Sequence, residues 1–242
     1  TQGPKLILLH GLLGQMSNWE AVTPCFARFS RPHAVQFPLL TGHKTEVKVN
    51  ALCLYTEYYI RKYELAPVTL CGNSLGGHVA LRLAIARPEL VDCLILSGAS
   101  GLYEHSVDAL PVRPDKNYIT THMKRVFYDP KFTTPEAVED IYRILSSRGK
   151  VLNLIQSARS AKRDNVLSDL KDIKAPTLLL WGENDLITTM DVGETFHKAI
   201  PHSKLVTIGK CGHAPMIEHP QWFSDEVEKF LKEHSLYFNR QK

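Results

Sequence analysis

Six short apolar runs punctuate the chain: Lys5–Leu9, Ala34–Phe37, Val68–Cys71, Cys93–Leu96, Thr177–Trp181 and Leu205–Ile208. Each is strand-sized, and a run that is apolar at consecutive positions, as Cys93-Leu94-Ile95-Leu96 is, suits a strand covered on both faces. Helical spacing occupies the intervals, at about Ser17 to Phe29 with Ser17 as N-cap, Val47 to Leu65 with Leu52, Tyr55 and Tyr59 on one stripe, and Ser74 to Arg87 stopped by Pro88. Further helices are expected from about Met190 to Ile200 and from Gln221 to His234. Repeated strand–helix units predict an α/β fold, a mostly parallel, doubly wound sheet of about six strands, with ligands bound beyond the carboxyl ends of the strands.

The rhythm breaks after Gly101. Residues 102–172 contain prolines (Pro111, Pro114, Pro130, Pro135) and helical patterns at Tyr118 to Tyr128, Pro135 to Ser146, Val151 to Arg163 and, more briefly, Val166 to Leu170, without a convincing strand. The expected organisation is therefore a core domain of residues 1–101 and 173–242 carrying a helical insertion at 102–172. The tail from Ser235 to Lys242 is expected to fray.

Composition narrows the function classes. With 242 residues, 44% hydrophobic, and 14 each of glycine and proline, the chain has the makings of a buried core and not of a disordered or collagen-like polymer. A net charge of +4, with acids and bases interspersed, argues against a nucleic-acid partner. No run nears the ~18 apolar residues of a membrane span. The five cysteines form no C-x-x-C pair and the eleven histidines no H-x-x-x-H pair, so neither a disulfide frame nor a metal site is expected. Free thiols and the lack of a visible targeting segment, with Thr1-Gln2-Gly3-Pro4 leading straight into the first strand, give the expectation of a cytoplasmic protein.

The chemistry concentrates at Gly72-Asn73-Ser74-Leu75-Gly76-Gly77, a G-x-S-x-G pattern placed where a strand turns into a helix. A serine at such a tip takes a strained backbone and needs small neighbours, which Gly72, Gly76 and Gly77 supply. On the pentapeptide alone, Ser74 capping the helix is an equally physical reading. A hydroxyl is hardly nucleophilic at neutral pH, so a nucleophilic Ser74 requires an imidazole, and the imidazole a carboxylate. Asp185, Glu183 and Asp191 are the acids near the end of the Thr177–Trp181 run, and His202, His213 and His219 flank the last run.

The order of these residues resembles the α/β-hydrolase superfamily, in particular its capped serine hydrolases, over nearly the whole chain. The resemblance places a His-Gly pair at His10-Gly11, the nucleophile at Ser74, the acid at Asp185 and the base at His213. Glu183 lies too close to the strand end and Asp191 falls in the next helix. By position, the oxyanion donors are the backbone amides of Leu12 and Leu75, with His10 bracing their loop. Two departures stand out. The loop Gln36-Phe37-Pro38-Leu39-Leu40-Thr41-Gly42 replaces an acidic residue and a Gly-x-Gly turn, and no N-terminal β-hairpin precedes the first run.

The resemblance implies a cofactor-independent, metal-free hydrolase acting on a small-molecule substrate, as a monomer or homodimer, with the helical insertion as a lid. Phe127, Tyr128, Phe132, Tyr142, Leu145 and Leu152 are candidates to line an apolar pocket under it, and Arg113, Arg125, Arg143 and Arg159 to meet a substrate carboxylate. A carboxylesterase for a small, largely apolar ester is the leading expectation. Carbon–carbon bond hydrolysis of a meta-cleavage product is the alternative, although those relatives often carry an aromatic residue after the catalytic histidine, where this chain has Ala214. A cofactor-free haloperoxidase activity and a slow ligand receptor complete the range.

Overall fold

Strand β1 (Lys5–Leu9) lies inside a six-stranded sheet of order β2-β1-β3-β4-β5-β6, in which every neighbouring pair is parallel. The other strands are β2 (Arg31–Val35), β3 (Val68–Asn73), β4 (Val91–Ser97), β5 (Thr177–Gly182) and β6 (Ser203–Ile208). The helices are α1 (Thr23–Phe26), α2 (Val49–Lys62), α3 (Leu75–Ala86), α4 (Lys116–Val126), α5 (Pro135–Leu145), α6 (Arg148–Arg163), α7 (Met190–Ala199), α8 (Pro215–Glu218), α9 (Pro220–His234) and α10 (Leu236–Asn239). This computed structural model describes residues 3–103 and 115–239; Pro111, Arg113 and Pro114 lie outside them.

Alternation along each strand sets the layers. Leu6 and Leu8 belong to one buried cluster and Ile7 and Leu9 to the other, as a period of two requires. The first face is covered by Phe26 of α1 and by Phe223, Val227, Phe230 and Leu231 of α9. The second takes Leu52 and Ile60 of α2, Val79 and Leu83 of α3, and Val192 and Phe196 of α7. Each fully buried aliphatic side chain contributes about 1.5–3 kcal/mol, so the two faces together dictate a doubly wound sheet.

Between β4 and β5 the chain leaves the sheet for α4, α5 and α6. Ile119 and Met123 of α4, Val138 and Leu145 of α5 and Leu154 of α6 join the second cluster, so the insertion packs on the sheet-side helices through apolar contact. It is also tied by hydrogen bonds from the Asn153 side chain to the Gly42 carbonyl (2.7 Å) and from the Val49 amide to Ser160 Oγ (3.1 Å).

Three local expectations are corrected. The helix expected from Ser17 to Phe29 is broken into a 3-10 turn at Met16–Trp19 and α1, which starts afresh with Pro24 in its first turn. The second strand begins earlier than its apolar run, at Arg31, and takes in Pro32, tolerated because β2 is an edge strand. The tail does not fray through Asn239: Ser235 Oγ and the Leu236 amide donate to the two oxygens of the buried Asp92 (2.6 and 3.0 Å), which docks α10.

The chain goes from β1 outward to β2 and then back across to β3, so the switch point of the sheet lies between the carboxyl ends of β1 and β3.

Candidate active site

Ser74 sits at that switch point, between the last residue of β3 and the first of α3, with φ 55° and ψ −119°. A non-glycine residue in this region is strained by about 1–3 kcal/mol and persists only if its surroundings hold it. They do: its amide donates to the Ser97 carbonyl, and its carbonyl accepts from the amides of His78 and Ser100, all at 3.1 Å. The turn also needs backbone-to-backbone approach. A Cβ on Gly76 would lie 2.1 Å from the Leu9 carbonyl oxygen, and one on Gly72 would lie 2.4 Å from that of Gly76. Gly77 packs as tightly against Ala99.

The turn after β5 brings Asp185 to the same end. Its Oδ1 accepts from the amides of Ile187 (2.7 Å) and Thr188 (3.0 Å), and its Oδ2 from Thr188 Oγ1 (3.0 Å) and His213 Nδ1 (2.8 Å). Both Asp185 and His213 are buried. With Nδ1–H donating to the carboxylate, Nε2 is the nitrogen left to accept a proton. The loop carrying His213 is fastened to the serine turn by Asn73, whose side-chain amide donates to both the His213 and Ser97 carbonyls (3.0 Å each). Gly98, with φ +49°, leaves the room this needs, since a Cβ there would fall 2.8 Å from His213 Nδ1.

The third contributor is the loop after β1. A Cβ on Gly11 would lie 3.2 Å from Ser74 Cβ, so this loop abuts the serine. His10 holds it: Nδ1 lies 2.8 Å from the Gly11 carbonyl, while Nε2 accepts from the Phe37 amide (3.0 Å) and faces the Gln36 side-chain amide (3.1 Å). Both ring nitrogens are engaged, and burial lowers the pKa of His10, so the ring stays neutral and acts as a brace. Gln36, part of the altered loop after β2, therefore supports the same wall. Leu75 opens α3, so its amide is one of the helix's unpaired first-turn donors. Leu12 follows directly in the braced loop.

The rival residues lie elsewhere. Glu183 accepts from Thr207 Oγ1 (3.1 Å) in exposed surroundings, Asp191 binds Tyr103 and Thr189 at the start of α7, and His219 faces the Lys210 carbonyl (3.0 Å). His202 is exposed. Four of the five cysteines are no competing nucleophiles: burial pushes the Cys53 thiol up to about 12 and raises Cys71, Cys93 and Cys211 as well.

Sequence reasoning missed Thr188 and Gly98. The Asp-x-x-Thr spacing was a usable signal for Thr188, since a carboxylate readily caps the turn that follows it. Of the candidate pocket residues, Leu145 alone borders the narrow apolar cleft between the β1 loop and the insertion, beside Leu13, Ile119, Met123 and Ile141. Tyr128, Tyr142 and Leu152 are exposed, and Phe132 packs against Phe127 with the rings tilted. Arg143 pairs with Glu139 and Asp140 on the surface, and Arg159 is exposed. No helix among the described residues is long and apolar enough to cross a membrane.

The chain is similar to a pimeloyl-[acyl-carrier protein] methyl ester esterase of Nitrosomonas europaea, 27% identical over 91% of this chain and 93% of that one. It is also similar to a 2-hydroxy-6-oxo-2,4-heptadienoate hydrolase of Pseudomonas putida, 28% identical over 95% and 89% of the two chains. Among solved structures, an α/β-hydrolase enzyme from the metagenome of Mar Chica lagoon sediments matches with TM-score 0.78 and 31% identity over 96% of this chain and 92% of its own. A meta-cleavage product hydrolase shares the fold with TM-score 0.85 at 22% identity, over 96% and 92%. The sequence model of the alpha/beta hydrolase family matches residues 6–226, and the chain belongs to that family.

Proposed function

We propose that this chain is a serine esterase that cleaves a small, largely apolar carboxylic ester through an acyl-enzyme on Ser74. The observation that carries this reading is the buried Asp185–His213 pair, hydrogen-bonded at 2.8 Å, on a loop that Asn73 ties to the strained Ser74 turn. In the proposed reaction His213 Nε2 takes the proton of Ser74 Oγ as that oxygen attacks the ester carbonyl. The resulting imidazolium is stabilised by Asp185, and the oxyanion is met by the amides of Leu12 and Leu75. The tetrahedral intermediate expels the alcohol, which receives the proton from His213. Water, deprotonated by the same imidazole, then releases the acid and restores Ser74.

The apolar side chains of Leu13, Ile119, Met123, Ile141 and Leu145, which meet beside Tyr118 and His122 where the β1 loop faces the insertion, support a largely apolar substrate, with the insertion as the lid of this reading. The likeness to a methyl ester esterase supports ester chemistry. The likeness to a heptadienoate hydrolase supports carbon–carbon hydrolysis as the second reading. Ala214, buried directly after His213 in the position where meta-cleavage relatives often carry an aromatic side chain, favours the ester. The cysteines of the described residues are all free, which fits a reducing compartment such as the cytoplasm.

Incubation with a fluorophosphonate tests the mechanism: stoichiometric labelling, abolished in Ser74→Ala, is the expected result, and folded protein that stays unlabelled refutes it. Short p-nitrophenyl esters assayed beside a ring-fission dienoate test the substrate. A kcat/KM several orders of magnitude higher for the dienoate would replace the ester reading with the second one.

A further inference from the structure

Glu218 has no part in the chemistry above, yet its carboxylate is buried and, among the described residues, forms no ion pair with a cationic side chain. Taking a carboxylate out of water is unfavourable unless hydrogen bonds replace the water. Here backbone amides from two distant segments do so. Oε2 accepts from Tyr128 (2.9 Å) and Asp129 (3.0 Å), just past the end of α4, and Oε1 accepts from Gly212 (2.7 Å), the residue before His213. Alongside, the His213 amide donates to the Val126 carbonyl at 2.7 Å. A Cβ on Gly212 would lie only 2.3 Å from that oxygen. The backbone leaving α4 and the backbone carrying the imidazole are thus in direct contact, and each is held by one oxygen of the same side chain.

We propose that Glu218 is a positioning residue, a strap whose two oxygens fasten the exit of α4 to the His213 loop and thereby set how the imidazole meets Ser74. The proposal rests on the reading of Ser74 and His213 as nucleophile and base. Its physical core is that both oxygens must accept. In Glu218→Gln one of them becomes an NH2 group facing an amide donor, so one segment is released whichever way the side-chain amide turns. A displacement of the base by about 1 Å suffices to slow the reaction by roughly 10²-fold.

The test uses the full chain and three measurements on wild type, Glu218→Gln and the shorter Glu218→Asp: the fluorophosphonate labelling rate of Ser74, kcat and KM for an ester, and amide hydrogen exchange over residues 124–130 and 209–214. Both variants are expected to label more slowly and to lose kcat by about 10- to 100-fold, with KM within about threefold of wild type. Exchange rises in at least one of the two segments in each variant. Unchanged labelling and kcat in a folded variant overturn the proposal, as does a slowed rate with exchange unaltered in both segments. Should Glu218→Gln not fold, Glu218→Asp, which keeps the charge but is one methylene too short to span both segments, decides by the same criteria. Wild-type protein that does not label at Ser74 refutes the underlying mechanism instead, a result the exchange data do not mimic.

Discussion

In the proposed mechanism Asp185 acts without meeting substrate. Its two oxygens accept four hydrogen bonds, and one of those donors is His213. In Asp185→Asn the oxygen contacts to the Ile187 and Thr188 amides can remain while an NH2 group faces the imidazole, which favours the wrong tautomer. The expected result is a near-normal far-UV spectrum and Tm with kcat lowered by a factor on the order of 10²–10⁴; steady-state kinetics on an ester checks it. His10 makes a prediction in pH. Burial holds its folded pKa below 6.5, so as pH falls past that value the unfolded chain binds the proton first. Stability contributed by the neutral ring is therefore complete above about 6.5, declines below it, and stops declining once the folded pKa is passed. Between pH 7 and pH 5 the Tm of wild type should fall more than that of His10→Gln. That Ser74, Asp185 and His213 lie at the same end of the sheet was legible in the sequence, because each follows a strand-like run at a glycine-marked or polar turn. Glu218 was not, since nothing local marks an acid whose partners lie at Tyr128, Asp129 and Gly212.

At the scale of elements, consecutive apolar residues announced β3, β4 and β5, because strands covered on both faces have no polar side to show. The boundaries that shifted did so for steric or tertiary reasons. Pro24 restarts a helix, an edge position admits Pro32, and Asp92 captures the start of α10 from across the sheet. The junction of β1, β3 and α3 is a backbone-to-backbone contact with Gly76 at its centre. Gly76→Ala must push α3 away from the Leu9 carbonyl, at a cost of about 1–3 kcal/mol. Calorimetry should show a Tm lower by roughly 2–12 °C. Because the displaced helix begins at Leu75, the labelling rate at Ser74 should fall as well; an unchanged Tm would mean the junction can relax.

For the molecule as a whole, parallel strands and a reversal of winding direction between β1 and β3 were legible as a class of fold, and they explain why loops so far apart in sequence meet at one rim. What periodicity did not reveal is that the insertion shares the second apolar cluster instead of closing on a core of its own. That depends on which faces of α4, α5 and α6 find α2 and α3, a matter of three-dimensional fit. The position of β6 at the edge of the sheet, the last strand to be made in a chain synthesised from its N-terminus, has a consequence for biosynthesis. Ser74 leaves the ribosome long before His213, so under the proposed mechanism a nascent polypeptide holds a hydroxyl whose base has yet to be made.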